Sequence, residues 1–272
     1  MKPIAKQSNK KAAFTIVELL TVMSIIIILI GLLVPGLNQI RRYAKGVRQK
    51  AQFHSIGIAI DLFNAEWDGY PPSEAFDGAG VSYRYCGAMK LAEAMVGKDS
   101  WGFNPDSDFT AGNPVPPLYH DPATLIGRKQ YLKLEGANVE TIGSLYNPPG
   151  PFDPCEVVLC DVYSHRTASG ERKGMPILYY RANTSNTLHR PDTMPLSENI
   201  YNYDDNKELI ALQTYDGEDH LLLDPVIFYE EIRNKKIDIK MARPYRADSY
   251  ILISAGPDGN YGTKDDVLNF GN

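Results

Sequence analysis

A single carboxylate, Glu18, stands inside an apolar run over residues 14–37 that is otherwise interrupted only by Thr15, Thr21, Ser24, Gly31, Pro35 and Gly36. An ionised group at bilayer depth costs about 2.5–3.5 kcal/mol on insertion scales, so such a residue needs a partner or a task. A second chemical signal lies at residues 253–267, where Ser254, Asp258, Asp265 and Asp266 are interspersed with glycines. Carboxylates and loop carbonyls at short spacing are what a hard cation such as Ca²⁺ requires, with ligands at roughly 2.3–2.6 Å. The spacing is not that of an EF-hand, and a Gly/Asp turn without an ion is the plain alternative.

The element that must carry Glu18 is a helix, because the apolar run exceeds the roughly 20 residues needed to span a bilayer. Lys2, Lys6, Lys10 and Lys11 precede it without any acid, as in a secretory signal, but the small residues Ala12 and Ala13 come before the greasy stretch instead of after it. That order predicts a helix retained in the mature chain. Arg41, Arg42, Lys45, Arg48 and Lys50 follow the span, so the distribution of positive charge does not orient it.

The stretch Lys10-Lys11-Ala12-Ala13-Phe14-Thr15-Ile16-Val17-Glu18-Leu19-Leu20 resembles the processing site of type IV prepilins and type II secretion pseudopilins. The resemblance implies cleavage between Ala13 and Phe14, N-methylation of Phe14, and Glu18 as an assembly residue facing the new amino terminus of a neighbouring subunit. The residue before the cut is usually Gly in that family and is Ala13 here. Pro35 falls where the family commonly has a proline. The acid-Gly-Tyr-Pro pattern at Asp68-Gly69-Tyr70-Pro71 and the terminal acidic loop are similar to those of major pseudopilins. On that likeness, Asp258 with Asp265 or Asp266 would be calcium ligands, Ser254 a further one, and the ion structural.

The family likeness implies a structural subunit of a type II secretion pseudopilus, not an enzyme. It also implies a single-pass inner-membrane chain with a cytoplasmic amino terminus and a periplasmic or extracellular head. The implied partners are a prepilin peptidase, a homo-oligomeric filament containing other pseudopilins, an inner-membrane assembly platform and secreted cargo. A type IV pilin or minor pilin for adhesion, motility or uptake is one alternative. A membrane-anchored binding domain is another.

The predicted fold is α+β: a long N-terminal helix, transmembrane in its first half, packed against a small antiparallel sheet with large irregular insertions. The expected division is a leader over 1–13, a membrane helix over 14–37, its soluble continuation over 38–68, and a head over 69–272. Leu37, Ile40, Ala44, Val47, Ala51, His54 and Ile58 recur three and four apart, which predicts the face that packs on the head. Gly69 and the prolines after it end the helix. Strand-like runs occupy 156–163, 175–181, 225–229 and 249–254, a short helix 88–96, and a polar surface loop 182–218.

Residues 1–50 hold nine Lys or Arg against Glu18 alone, so the whole chain's net charge of −5 rests on an acidic remainder. No nucleic-acid partner is expected of such a head. Cys86, Cys155 and Cys160 would allow one disulfide, with Cys155 and Cys160 the close pair. The five histidines are scattered, and no nucleophile elbow, phosphate loop or zinc motif accompanies them.

Overall fold

The computed structural model describes residues 15–75, 83–112, 117–167, 170–212, 219–238 and 241–271. The chain divides into two compact units, Met1–Ala44 and Lys45–Asn272. The first contains the apolar start of helix α1 (Ile16–Trp67), whose large side chains from Ile16 to Val34 are exposed. α1 ends where Asp68 adopts a left-handed backbone, with φ of 53°. Asp68, and not the predicted Gly69, therefore makes the terminating turn. The Asp side chain tolerates that region better than most because it bonds locally.

The second unit is α+β. Strand β1 (Val139–Thr141) pairs antiparallel with β2 (Val157–Leu159), Val139 standing opposite Leu159. A short hairpin follows, β3 (His165–Arg166) with β4 (Arg172–Lys173). β5 (Leu178–Arg181) pairs with β6 (Tyr250–Ser254), Leu178 opposite Ile253, and β6 pairs with β7 (Val267–Leu268). Backbone bonds from Asp161 N–H to Met175 O (2.8 Å) and from Ile177 N–H to Leu159 O (2.7 Å) extend the ladder from β2 toward β5.

Side chains alternate across a strand, and here the alternation feeds two separate cores. Val157, Leu159, Ile177, Tyr179, Tyr250 and Leu252 enter one, together with Phe53, Ile56 and Ile60 of α1. Val158, Leu178, Tyr180, Ile251 and Ile253 enter the other. A sheet buried on both faces explains why its strands read as continuous apolar runs.

Helix α2 (Gly87–Val96), as the sequence predicts, is buried along its whole length and contributes to both cores. The short helices α3 (Leu134–Ala137) and α4 (Ile142–Leu145) bracket β1. The second core is closed by α5 (Asp204–Ile210) and α6 (Pro225–Glu231).

Two expectations are corrected here. Residues 225–229 are helical, because Asp224 caps the segment through its carboxylate on Val226 N–H and Pro225 occupies the first turn, where its missing donor costs nothing. The described part of the stretch 182–218, residues 182–212, is not a surface loop, since Leu196, Ile200, Tyr201, Tyr203, Leu209 and Ile210 are core residues.

The packing face of α1 also differs from the predicted one. Leu37, Ile40, Val47 and Ile58 are exposed, as are Ala51 and His54. The buried face is Gln49, Gln52, Phe53, Ile56, Ala59, Ile60 and Phe63. Two glutamines are tolerated there because they satisfy backbone groups at the end of β2. Val162 N–H donates to Gln49 Oε1 at 2.9 Å, and Gln52 Nε2 donates to Cys160 O at 2.9 Å.

Candidate functional site

Glu18 lies in the first turn of α1 and closes a reciprocal cap with Thr15. Thr15 N–H and Oγ1 donate to Glu18 Oε2 at 2.9 and 2.8 Å, and Glu18 N–H donates to Thr15 Oγ1 at 3.2 Å. The pair is a capping box, which satisfies donors that a helix start leaves orphaned. The carboxylate therefore has a task within its own chain, one that the sequence pattern Thr-x-x-Glu already encodes. Ala13 and Phe14, the two sides of the expected cut, lie outside the described residues. Among the described residues, α1 is the one helix long and apolar enough to cross a membrane, with a mean hydropathy of 2.8 in its most apolar window.

The acidic loop begins where β6 ends. Asp258 N–H donates to Asp265 Oδ2 at 3.0 Å, Asn260 N–H to Asp258 Oδ1 at 2.8 Å, and Gly262 N–H to Asp266 Oδ2 at 2.8 Å. Thr263 Oγ1 donates to Asp265 Oδ1 and, at 3.4 Å, to Asp266 Oδ1. Asp258, Asp265 and Asp266 are thus drawn into one loop. Gly256 makes the return possible: with φ of 64°, a Cβ there would stand 2.1 Å from Asp265 O.

Burial, reinforced by the neighbouring Asp265, raises the Asp258 carboxyl above its ordinary range. Asp266 is pushed up to about 8, first by burial and then by the charges of Asp258, Asp265 and Glu231. Like charges held together in this way are relieved either by protons or by a cation. In donor chemistry the three carboxylates suit a hard cation. In placement they are engaged with the loop's own N–H groups, and no group of three or more His, Cys, Asp or Glu among the described residues is arranged to hold a metal ion.

Ser254 is placed differently. Its side chain is fully buried, its Oγ donates to Asp161 Oδ2 at 2.9 Å, and it accepts from Gly256 N–H at 3.2 Å. Asp161 is not legible as a candidate in the sequence, because its partners Ser254 and Met175 are distant along the chain. It also accepts from Tyr163 N–H and Met175 N–H, each at 3.1 Å, and burial pushes its carboxyl up to about 7.

Two histidines buttress the loop from outside it. His165 Nε2 lies 3.2 Å from Gly256 O, and His220 Nδ1 accepts from Tyr261 N–H at 3.3 Å beside Asn260 Oδ1.

A second polar cluster was likewise illegible in sequence. Glu93, fully buried on α2, accepts from Tyr85 OH at 2.7 Å, Tyr119 OH at 2.8 Å and Ser107 Oγ at 2.5 Å. Nearby, Lys98 Nζ donates to Glu156 Oε1 at 3.0 Å and to the carbonyls of Thr110 and Gly112. These bonds clamp the irregular region to the sheet.

The cysteines are three free thiols. Cys155 is exposed, whereas Cys86 and Cys160 are buried, and burial pushes Cys86 up to about 12. The pairing of Cys155 with Cys160 allowed by the sequence is absent. A buried neutral thiol is a small apolar side chain and no nucleophile.

No known protein family, curated protein or solved structure matches the chain. Its function has to be read from its own residues.

Proposed function

We propose that this protein is a membrane-anchored structural subunit that assembles through α1 into a pilin-like filament, of the kind that serves type II protein secretion. The observation that carries the reading is the start of α1, where an exposed apolar helix opens on Thr15 and Glu18, directly after a basic segment ending in Ala13-Phe14. A prepilin peptidase would cut before Phe14 and methylate it, with the amino terminus in the cytoplasm and the head outside. The new ammonium of one subunit and the Glu18 carboxylate of the next form the proposed contact, which selects register among otherwise sliding apolar surfaces. Oε2 of Glu18 serves the cap, and the same carboxylate can meet a cation, since an ionised carboxyl offers about four lone-pair sites.

Calcium at the acidic loop is part of the proposal. Asp258, Asp265 and Asp266 would hold it, and its charge would offset their mutual repulsion and tie the terminal strand to the sheet. Mass spectrometry of the protein recovered from membranes tests the central claim. A mature chain beginning at N-methylated Phe14 is the expected result, and an intact Met1 or a cut elsewhere overturns it.

A further inference from the structure

Charge is unevenly spread over the acidic head. Residues 233–246 hold Arg233, Lys235, Lys236, Lys240, Arg243 and Arg246 against Asp238 alone, in a chain whose net charge is −5. Arg233 is taken up by Glu230, to which its Nε and one terminal nitrogen donate at 2.8 and 2.7 Å. Arg243 is not taken up in this way. It lines a cavity of about 530 Å³ formed by residues 187–190 and 241–243. Pockets that bury small organic molecules have volumes of roughly 300–1,000 Å³.

The lining of this cavity is cationic. It contains Arg190 and Arg243, both exposed, and no acidic residue among those described. Neither guanidinium forms an ion pair with another described residue. Leu188, Ala242 and Met241, the last 72% exposed, supply apolar surface beside them.

His189 stands in the same lining and is only 7% exposed. Its ring packs edge-on against Tyr229 of α6, with ring centres 5.5 Å apart. Neither ring nitrogen makes a hydrogen bond, although the Tyr229 backbone lies close enough to favour the protonated ring. Buried polar groups are nearly always satisfied, so a neutral imidazole in this state lacks an acceptor for its N–H.

Both segments around the cavity are fixed from behind. Arg190 N–H donates to Oδ1 of the buried Asn199 at 2.6 Å, and Ile200 N–H donates to Leu188 O at 2.9 Å. On the other segment, Asn234 N–H donates to Arg243 O at 2.8 Å, and Met241 N–H donates to Asp238 O at 2.9 Å. The two arginines therefore leave ordered backbone, which lowers the entropy lost when their side chains close on a ligand.

Guanidinium groups match the planar, paired oxygens of phosphate and carboxylate. Two unpaired cations beside a neutral histidine favour the ligand with two charges. A phosphate monoester carries about −1.5 to −2 at pH 7, whereas a carboxylate or a sulfate ester carries one charge and leaves an arginine uncompensated. The apolar lining and the volume call for an organic body attached to the anion.

We propose that this cavity binds a phosphate monoester, its phosphoryl oxygens held by Arg190 and Arg243 and its organic body by Leu188, Ala242 and Met241. The site is independent of the filament reading, since none of its residues belongs to α1.

Titration calorimetry of the full-length chain in non-ionic detergent and phosphate-free buffer tests it, with phenyl phosphate as the probe. One molecule should bind per chain. Arg190→Gln and Arg243→Gln should each weaken binding about tenfold, the scale of one lost charge-assisted hydrogen bond. Met241→Glu, which sets a carboxylate in the lining, should weaken it as well. Lys236→Gln removes an exposed charge of the same basic run outside the cavity and should change the affinity less than about twofold, as a screened surface charge does. Inorganic phosphate and phenyl sulfate should each bind about tenfold more weakly than phenyl phosphate, for want of the organic body and of the second charge.

The melting temperature of each variant is measured alongside and should match the parent, because neither guanidinium has a partner within the described fold. No binding of phenyl phosphate to the parent chain overturns the proposal, as does an equal loss from Lys236→Gln and from the two arginine variants. Binding of inorganic phosphate or phenyl sulfate as tight as that of phenyl phosphate overturns the assignment to a phosphate monoester.

Discussion

Ser254 Oγ donates to Asp161 Oδ2 across 93 residues of chain, so that the end of β6 and the segment just after β2 are joined by a fully buried hydrogen bond. The same Asp161 holds the N–H groups of Tyr163 and Met175. A residue expected to ligate a metal thus serves as the upper fastening of the acidic loop, and the loop's attachment to the fold runs through a carboxylate outside it.

Asp161→Ala should therefore destabilise far more than Ser254→Ala. The first leaves two buried backbone donors and a hydroxyl without an acceptor, at about 1–3 kcal/mol for each group left unsatisfied. The second removes one hydrogen bond, about 1 kcal/mol, and also leaves the carboxylate short of a donor. Urea unfolding of the full chain in detergent, followed by tyrosine fluorescence and circular dichroism, measures the difference. Equal effects would mean that Asp161 contributes only through Ser254.

Asp205 yields a pH prediction. It is almost wholly buried, accepts from Ser73 Oγ at 2.5 Å and from Asn202 Nδ2 at 2.9 Å, and burial pushes it up to about 7. A carboxyl raised in the folded state binds its proton more tightly there than in the unfolded chain, where the value is about 3.9. Its contribution is fully present below about pH 4 and is lost as the pH rises through about 7. Asp205→Asn, which is neutral throughout, should flatten the fall in stability across that window. His189 acts with the opposite sign: burial lowers it to about 4, so stability is lost as the pH falls from about 6.5 toward 4. A variant whose pH dependence between 4 and 7 matches that of the parent would remove Asp205 from this account.

If the acidic loop binds calcium, the full chain should melt at a higher temperature with the ion than after chelation. Asp266→Asn should abolish the difference while raising the stability of the ion-free chain, because a neutral amide avoids first the burial cost of that carboxylate and then its repulsion from Asp258 and Asp265. A melt insensitive to chelation in the parent protein eliminates the ion.

The cap and the assembly contact at Glu18 are separable. Thr15→Ala removes the hydroxyl of the capping box, a loss of about 1 kcal/mol at the helix start, and leaves the carboxylate in place. Filaments should still form from that variant, as seen by electron microscopy of sheared material, and should not form from Glu18→Ala. Equal loss from both substitutions would assign Glu18 to the cap alone.

Much of this protein was legible because the forces concerned are local. The apolar run, the Thr-x-x-Glu start, the end of α1 near Trp67, helix α2 and the strands β2, β5 and β6 all follow from periodicity and turn residues within a few positions. The helix at Pro225 was open to the same reading through Asp224-Pro225, a capping signal that its β-branched and aromatic residues obscured. The gathering of Asp258, Asp265 and Asp266 was also local, since glycines such as Gly256 let the backbone turn back on itself.

What the sequence by itself determined is a chain with one membrane-length helix, a carboxylate at its start, an acidic α+β head and a terminal loop of convergent carboxylates. The tertiary structure decided which side of α1 is buried, the second core that takes in Leu196, Ile200, Tyr201, Tyr203, Leu209 and Ile210, and the partners of Asp161, Glu93 and Gln49. The physical reason is range. Propensity and capping act between neighbours, whereas the faces of a helix with two apolar stripes are indistinguishable until the sheet supplies carbonyls and N–H groups for Gln49 and Gln52 on one of them.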